Sequence, residues 1–169
     1  MTDQELKNLV AENAKAIKRL SADIGAIGNS WGRFTEDLFT PSLDRILYKD
    51  FGLDTVGHRV GHGNNGDRME IDVLGYSNSE KNTAVVVEIK SKLRDDDINE
   101  FIEVLKKFPK VFKEHKDKKI IGMMAAVSIS PEQKAKLEKL GIYVVRIHDE
   151  VFRVVSGKKF EPKDFGLKA

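Results

Sequence analysis

The chain has 169 residues, enough for one domain and an appendage. Its 40% hydrophobic content supplies a real core and excludes wholesale disorder. The 29 basic and 27 acidic residues nearly cancel, which excludes strong steering of the whole molecule towards nucleic acid or anionic membrane. No cysteine is present, so disulfides, thiol catalysis and Cys-based zinc sites are excluded, and a reducing cytoplasm suits the chain.

The first residues, MTDQELKNLVAENAK, are too polar and acidic for a signal peptide, and apolar runs such as 120–129 are too short to cross a bilayer. A soluble intracellular protein that does not engage the membrane is expected. Leu6, Val10, Asn13, Ile17, Leu20, Ile24 and Ile27 step alternately by four and three, which is a heptad seam. β-Branched residues at a, with Leu at d, favour a parallel two-stranded coil, and Asn13 would fix its register. A homodimer through residues 1–28 is therefore expected; the alternative is that the stripe packs on its own domain. Gly25, Gly28, Asn29 and Ser30 read as a break, with Ser30 capping a new helix over 31–49 that is kinked or restarted at Pro41. On that helix Trp31 reads as a core residue.

Beyond residue 54 the period changes from helical to alternating. Strands are predicted over 55–60 and 69–75, separated by a glycine-rich hairpin turn at 61–67. The strongest strand signal lies in 84–92, where Val85, Val86, Val87 and Ile89 are nearly continuous. Asp95-Asp96-Asp97 opens a helix whose apolar face runs from Ile98 to Phe108, with Pro109 as a kink or break. A buried strand over 120–129 follows. Ser130-Pro131-Glu132-Gln133 is a capped helix start and Gly141 its stop. Strands over 142–147 and 151–155 complete the pattern. The order implies an α/β fold with a mixed central sheet flanked by helices. It divides as a heptad helix over 1–28, a main domain over 29–156 and a basic tail over 157–169.

Glu88 and Lys90 alternate onto one face of the central strand, and Lys92 continues the row. Charges on a central strand need a partner or a task. If the hairpin pairs strands 69–75 and 84–92, Asp72 lies beside Glu88. Two neighbouring carboxylates repel unless a cation lies between them, and hard Mg²⁺ or Mn²⁺ takes such oxygen ligands. Asp72 and Glu88 would hold the metal with the Ile89 carbonyl, Lys90 would orient the attacking water or stabilise phosphoryl charge, and Glu36 would add a carboxylate. The alternative is a set of salt bridges among Asp72, Glu88, Lys90 and Lys92. The scattered histidines lack zinc spacing, and no serine sits in a nucleophile elbow.

Asp72, then fifteen residues, then Glu88-Ile89-Lys90, set in the strands Met69–Leu74 and Val85–Lys90, resembles the PD-(D/E)XK nuclease superfamily. Glu36 takes the place of that superfamily's helix glutamate. The resemblance covers residues 31–148 and implies a restriction-endonuclease-like fold with Mg²⁺-dependent hydrolysis of DNA. The helix after the third strand lacks the glutamine of some exonuclease branches. The chain also resembles a prokaryotic branch that joins a coiled coil to such a domain. Arg33, Lys92 and Arg94 are candidate nucleic-acid contacts, and Lys106–Lys119 forms a basic stretch that is equally a solvated helix face. The non-enzymatic alternative is a dimer that binds nucleic acid or protein on a nuclease-like fold.

Overall fold

The computed structural model describes residues 3–64, 67–148 and 151–167. The chain divides into two compact units, Met1–Phe34 and Thr35–Ala169. Helix α1 runs from Asp3 to Arg45 and ends in a π-helical turn, Ile46–Asp50. The expected break at residues 25–30 is absent. Ser30 lies inside the helix, where its hydroxyl donates to the Ala26 carbonyl rather than capping a new start. Pro41 is also inside the helix.

Within the first unit, Leu20, Ile24, Ile27, Trp31 and Phe34 are exposed at the same four-three spacing, and the Trp31 and Phe34 rings lie 5.6 Å apart. Trp31, expected in the core, is 59% exposed. The side chains of Leu6, Val10, Asn13 and Ile17 lie outside the described residues.

The second unit is a six-stranded mixed sheet in sequential order, β1 (Thr55–Asn64), β2 (Asp67–Ser77), β3 (Thr83–Lys92), β4 (Lys119–Ser128), β5 (Tyr143–His148) and β6 (Val151–Val154). The pairs β1–β2, β2–β3 and β5–β6 are antiparallel, whereas β3–β4 and β4–β5 are parallel. The parallel pairs follow from crossovers through helices α2 (Asp95–Val111) and α3 (Pro131–Lys139). β3 and β4 occupy the centre and are buried on both faces, which explains their unbroken apolar runs.

Alternation sorts these strands into two cores. Phe39, Leu43, Ile46 and Leu47 of α1 and its π turn pack against Val73, Val85, Val87 and Ile89. Ile98, Phe101, Leu105 and Phe108 of α2, with Leu137 of α3, pack against Leu74, Ala84, Val86 and Met124. Of the expected kink or break at Pro109, the break does not occur: α2 runs on to Val111, with Phe108 and Pro109 both buried. The Ser130–Gln133 capping box forms as read, with Ser130 Oγ accepting from the Gln133 amide at 3.1 Å. The C-terminal stretch is tied to the sheet: the Phe165 amide donates to the Ile120 carbonyl, and its ring joins the α2-side core.

Candidate active site

Asp72 sits where β2 leaves its neighbour β3. The last described rung of that ladder pairs Val73 with Val87, so Asp72 and Glu88 would form the next one. Instead the Asp72 carboxylate turns to accept the Ile89 amide at 2.7 Å. A strand residue's N–H and C=O point to the same side, so the Ile89 carbonyl is also directed towards β2.

On its other side β2 is irregular too. His58 pairs with Val73 and Val60 with Ile71, but the intervening Arg59 and Asp72 do not pair. Arg59 has φ 50°, a left-handed conformation that costs a non-glycine residue about 1–2 kcal/mol. The strict alternation expected for 69–75 breaks at this rung. Val73 joins the α1-side core while Ile71, two residues earlier, joins the α2-side core. As a result Asp72 and Val73, which are consecutive, both line one recess, as do His58 and Arg59.

That recess has a volume of about 220 Å³ and is also lined by Glu36, Asp37 and Thr40 of α1 and by Ile89. Arg59 Nε donates to Glu36 Oε2 at 2.8 Å, and its Nη2 reaches Asp37 Oδ1 at 3.5 Å. His58 Nε2 lies 2.9 Å from Asp44 Oδ1. Glu88 and Lys90 alternate onto the α2 side of β3, beside Met124 and Ala126 of β4, and form an ion pair at 2.7 Å.

Electrostatics link the two sides. Burial pushes the Asp72 carboxyl up, Glu88 pushes it further and Glu36 adds to this, while the Ile89 amide and Lys90 pull it down; the result is about 7. For Lys90, burial works against the ammonium, but the charge and hydrogen bond of Glu88 outweigh it and the pKa rises. Lys90 therefore stays a cation at neutral pH, suited to stabilising charge rather than accepting a proton.

The donor chemistry suits a hard divalent ion: carboxylate oxygens from Asp72 and Glu88 and a backbone carbonyl at Ile89, where burial first and the charge of Glu88 second raise the Asp72 carboxyl. Among the described residues no three His, Asp or Glu side chains are gathered into one ready ligand set. Glu36, on the recess, is paired with Arg59, and Glu88, on the α2 side of β3, with Lys90.

Arg33 belongs to the first unit, Lys92 is exposed at the end of β3, and Arg94 is occupied by Asp97 at the start of α2. Sequence reasoning missed Arg59, Asp37, Thr40 and Asp44, and it treated His58 only as one of the scattered histidines without zinc spacing. Only the proximity of His58 and Arg59 to the glycine-rich turn offered a signal.

A family model described as a domain of unknown function, DUF8196, matches residues 42–154. The chain belongs to the DUF8196 family. That match contains Arg59, Asp72, Glu88 and Lys90, whereas Glu36 and Asp37 fall in the match to a second model, the protein of unknown function DUF3782, over residues 1–67. Among solved structures, this DUF8196 chain is similar to the one described as "Structure of EndoMS-dsDNA2 complex", with 20% identity and a TM-score of 0.36 over 63% of its length. It spans 42% of that chain. No curated protein matches it.

Proposed function

We propose that this protein is a metal-dependent nuclease that hydrolyses DNA phosphodiester bonds on a restriction-endonuclease-like domain. The observation that carries the reading is the half-buried Asp72 carboxylate, fixed by the Ile89 amide on a recess that Glu36 and Asp37 also line; burial and the charges of Glu88 and Glu36 push its pKa up to about 7. A half-buried carboxylate beside two others is costly to keep without a cation to offset it. Asp72, Glu88 and the Ile89 carbonyl would hold Mg²⁺ or Mn²⁺, with Glu36 as a further ligand. When bound, such an ion lends positive charge to the phosphoryl oxygens under attack.

The chain's own groups have distinct tasks in this reading. The Ile89 amide fixes the direction of the Asp72 carboxylate. Lys90, kept cationic by Glu88, orients the attacking water and stabilises the extra negative charge of the transition state. The recess between α1 and the β1–β2 hairpin gives a phosphodiester access to Asp72. Helix α1 pairs two copies through the exposed heptad positions from Leu20 to Ile27, which supports a homodimer with two sites.

The pairing of Glu36 with Arg59 and of Glu88 with Lys90 favours a second reading, a charge-paired module that binds nucleic acid or protein without cleaving it. The deciding experiment is cleavage of single-stranded, duplex, nicked and branched DNA in Mg²⁺ or Mn²⁺, beside Glu88→Ala and Asp72→Ala. Cleavage that needs metal and disappears in both variants supports the nuclease. No cleavage by the folded protein, together with no Mn²⁺ binding, supports the binding module.

A further inference from the structure

We propose that Arg59 is a positioning residue that controls cation entry, holding Glu36 and Asp37 in the metal-free protein until a divalent ion displaces it. The inference rests on the metal-site reading above and assigns the site's affinity to a residue outside its ligand set.

Three observations converge on this role. The Arg59 guanidinium already does what a bound cation would do, since it meets Glu36 at 2.8 Å and Asp37 at 3.5 Å on the wall of the recess that Asp72 lines. Of the other basic side chains, His58 on that wall is engaged by Asp44, and Lys90, on the α2 side of β3, by Glu88. Arg59 also reaches the recess only through its left-handed backbone, because in a regular strand neighbours such as His58 and Arg59 point to opposite faces. An ordinary exposed salt bridge contributes too little to offset that conformation, so its retention points to a functional constraint.

Displacement has two consequences. Glu36 becomes available beside Asp72, with which it lines the recess and whose charge it already opposes. The guanidinium becomes free at the mouth of the recess, and its planar fork suits a phosphate. Cation binding and release of an anion-binding group are thereby one event.

The test is Mn²⁺ titration of the full chain by calorimetry, read as affinity and independent of cleavage. Removing Arg59 (Arg59→Ala) should tighten Mn²⁺ binding about fivefold to tenfold, as expected for a coupled charge pair. In the Glu36→Gln background the same change should give less than about a twofold gain, because the residue that Arg59 restrains is no longer a ligand. Arg59→Gly suits the left-handed backbone and should reproduce the Arg59→Ala result if alanine impairs folding. An equal gain in both backgrounds, or no gain, overturns the proposal. Mn²⁺ binding that is lost in Asp72→Ala but indifferent to residue 59 overturns this inference while leaving the metal site intact. No Mn²⁺ binding in any form overturns the site and the inference together.

Discussion

The Asp72 carboxylate accepts the Ile89 amide at 2.7 Å, which ties the acidic residue of β2 to the strand that carries Glu88 and Lys90. Asp72 thus replaces a missing rung of the sheet with its own side chain. The same bond that satisfies a backbone N–H also orients a carboxylate, so structure and chemistry are joined in one atom pair.

Asp72 should make the metal-free protein less stable as pH rises. Its folded pKa of about 7 lies above the ordinary aspartate value of about 4, so the fold favours the protonated form. That contribution is complete below about pH 4 and is lost as pH rises through 7. In EDTA the melting temperature should fall by roughly 5 °C between pH 5 and pH 8. Asp72→Asn, which stays neutral and can still accept from Ile89, should flatten the decline. A pH profile unchanged in that variant would show that the titration belongs to another group.

Lys90→Met should lower metal-dependent cleavage by about a hundredfold or more, the effect of losing one well-placed charge in a transition state. Mn²⁺ affinity should fall little, because Lys90 is not a ligand. Its loss also frees Glu88 from a 2.7 Å ion pair, so binding by Glu88 is not weakened. Parallel measurements of cleavage and Mn²⁺ titration separate these effects.

Ile24→Asp with Ile27→Asp should convert a dimer into a monomer in sedimentation experiments. Both residues are more than 60% exposed on α1, and charges at seam positions oppose coil pairing. The melting of the Thr35–Ala169 unit should change little. A monomeric wild-type chain would remove the dimer from the proposal.

Ser130→Ala should destabilise the protein by about 1 kcal/mol in chemical denaturation, the usual cost of losing an N-cap. The Ser130 hydroxyl accepts from the Gln133 amide and the Gln133 side chain accepts in return from the Ser130 amide. Gln133 also donates to the Leu93 carbonyl, so the cap is linked to the end of β3.

The elements that rest on strong local patterns were legible. Val85, Val86 and Val87 marked the central strand, Ser130-Pro131 marked α3, and the acidic triplet at Asp95 marked α2. The continuity of α1 was not legible, because Gly25, Gly28 and Ser30 are breakers only on average and their neighbours sustain the helix. Pro109 read as a kink or break, and buried packing carries α2 past it despite one missing backbone bond. At the candidate site, Asp72, Glu88 and Lys90 stood out as charges among apolar residues. Arg59 did not, since nothing in Val56-Gly57-His58-Arg59-Val60 announces a left-handed arginine. Its partners, Glu36 and Asp37, lie more than twenty residues away, and only the folded chain brings them into contact.

The break at Arg59 and Asp72 makes the β1–β2 hairpin change sides. Below that rung, Val56 and Val73 belong with α1; beyond it, Val60 and Ile71 belong with α2. The hairpin therefore carries two alternating patterns that are out of phase by one residue, and the phase slip coincides with the recess. Relatives that keep the recess should show the same slip at the matching rung. Those with one uninterrupted alternation through it should have lost the recess, even where the acidic residue of β2 is still present.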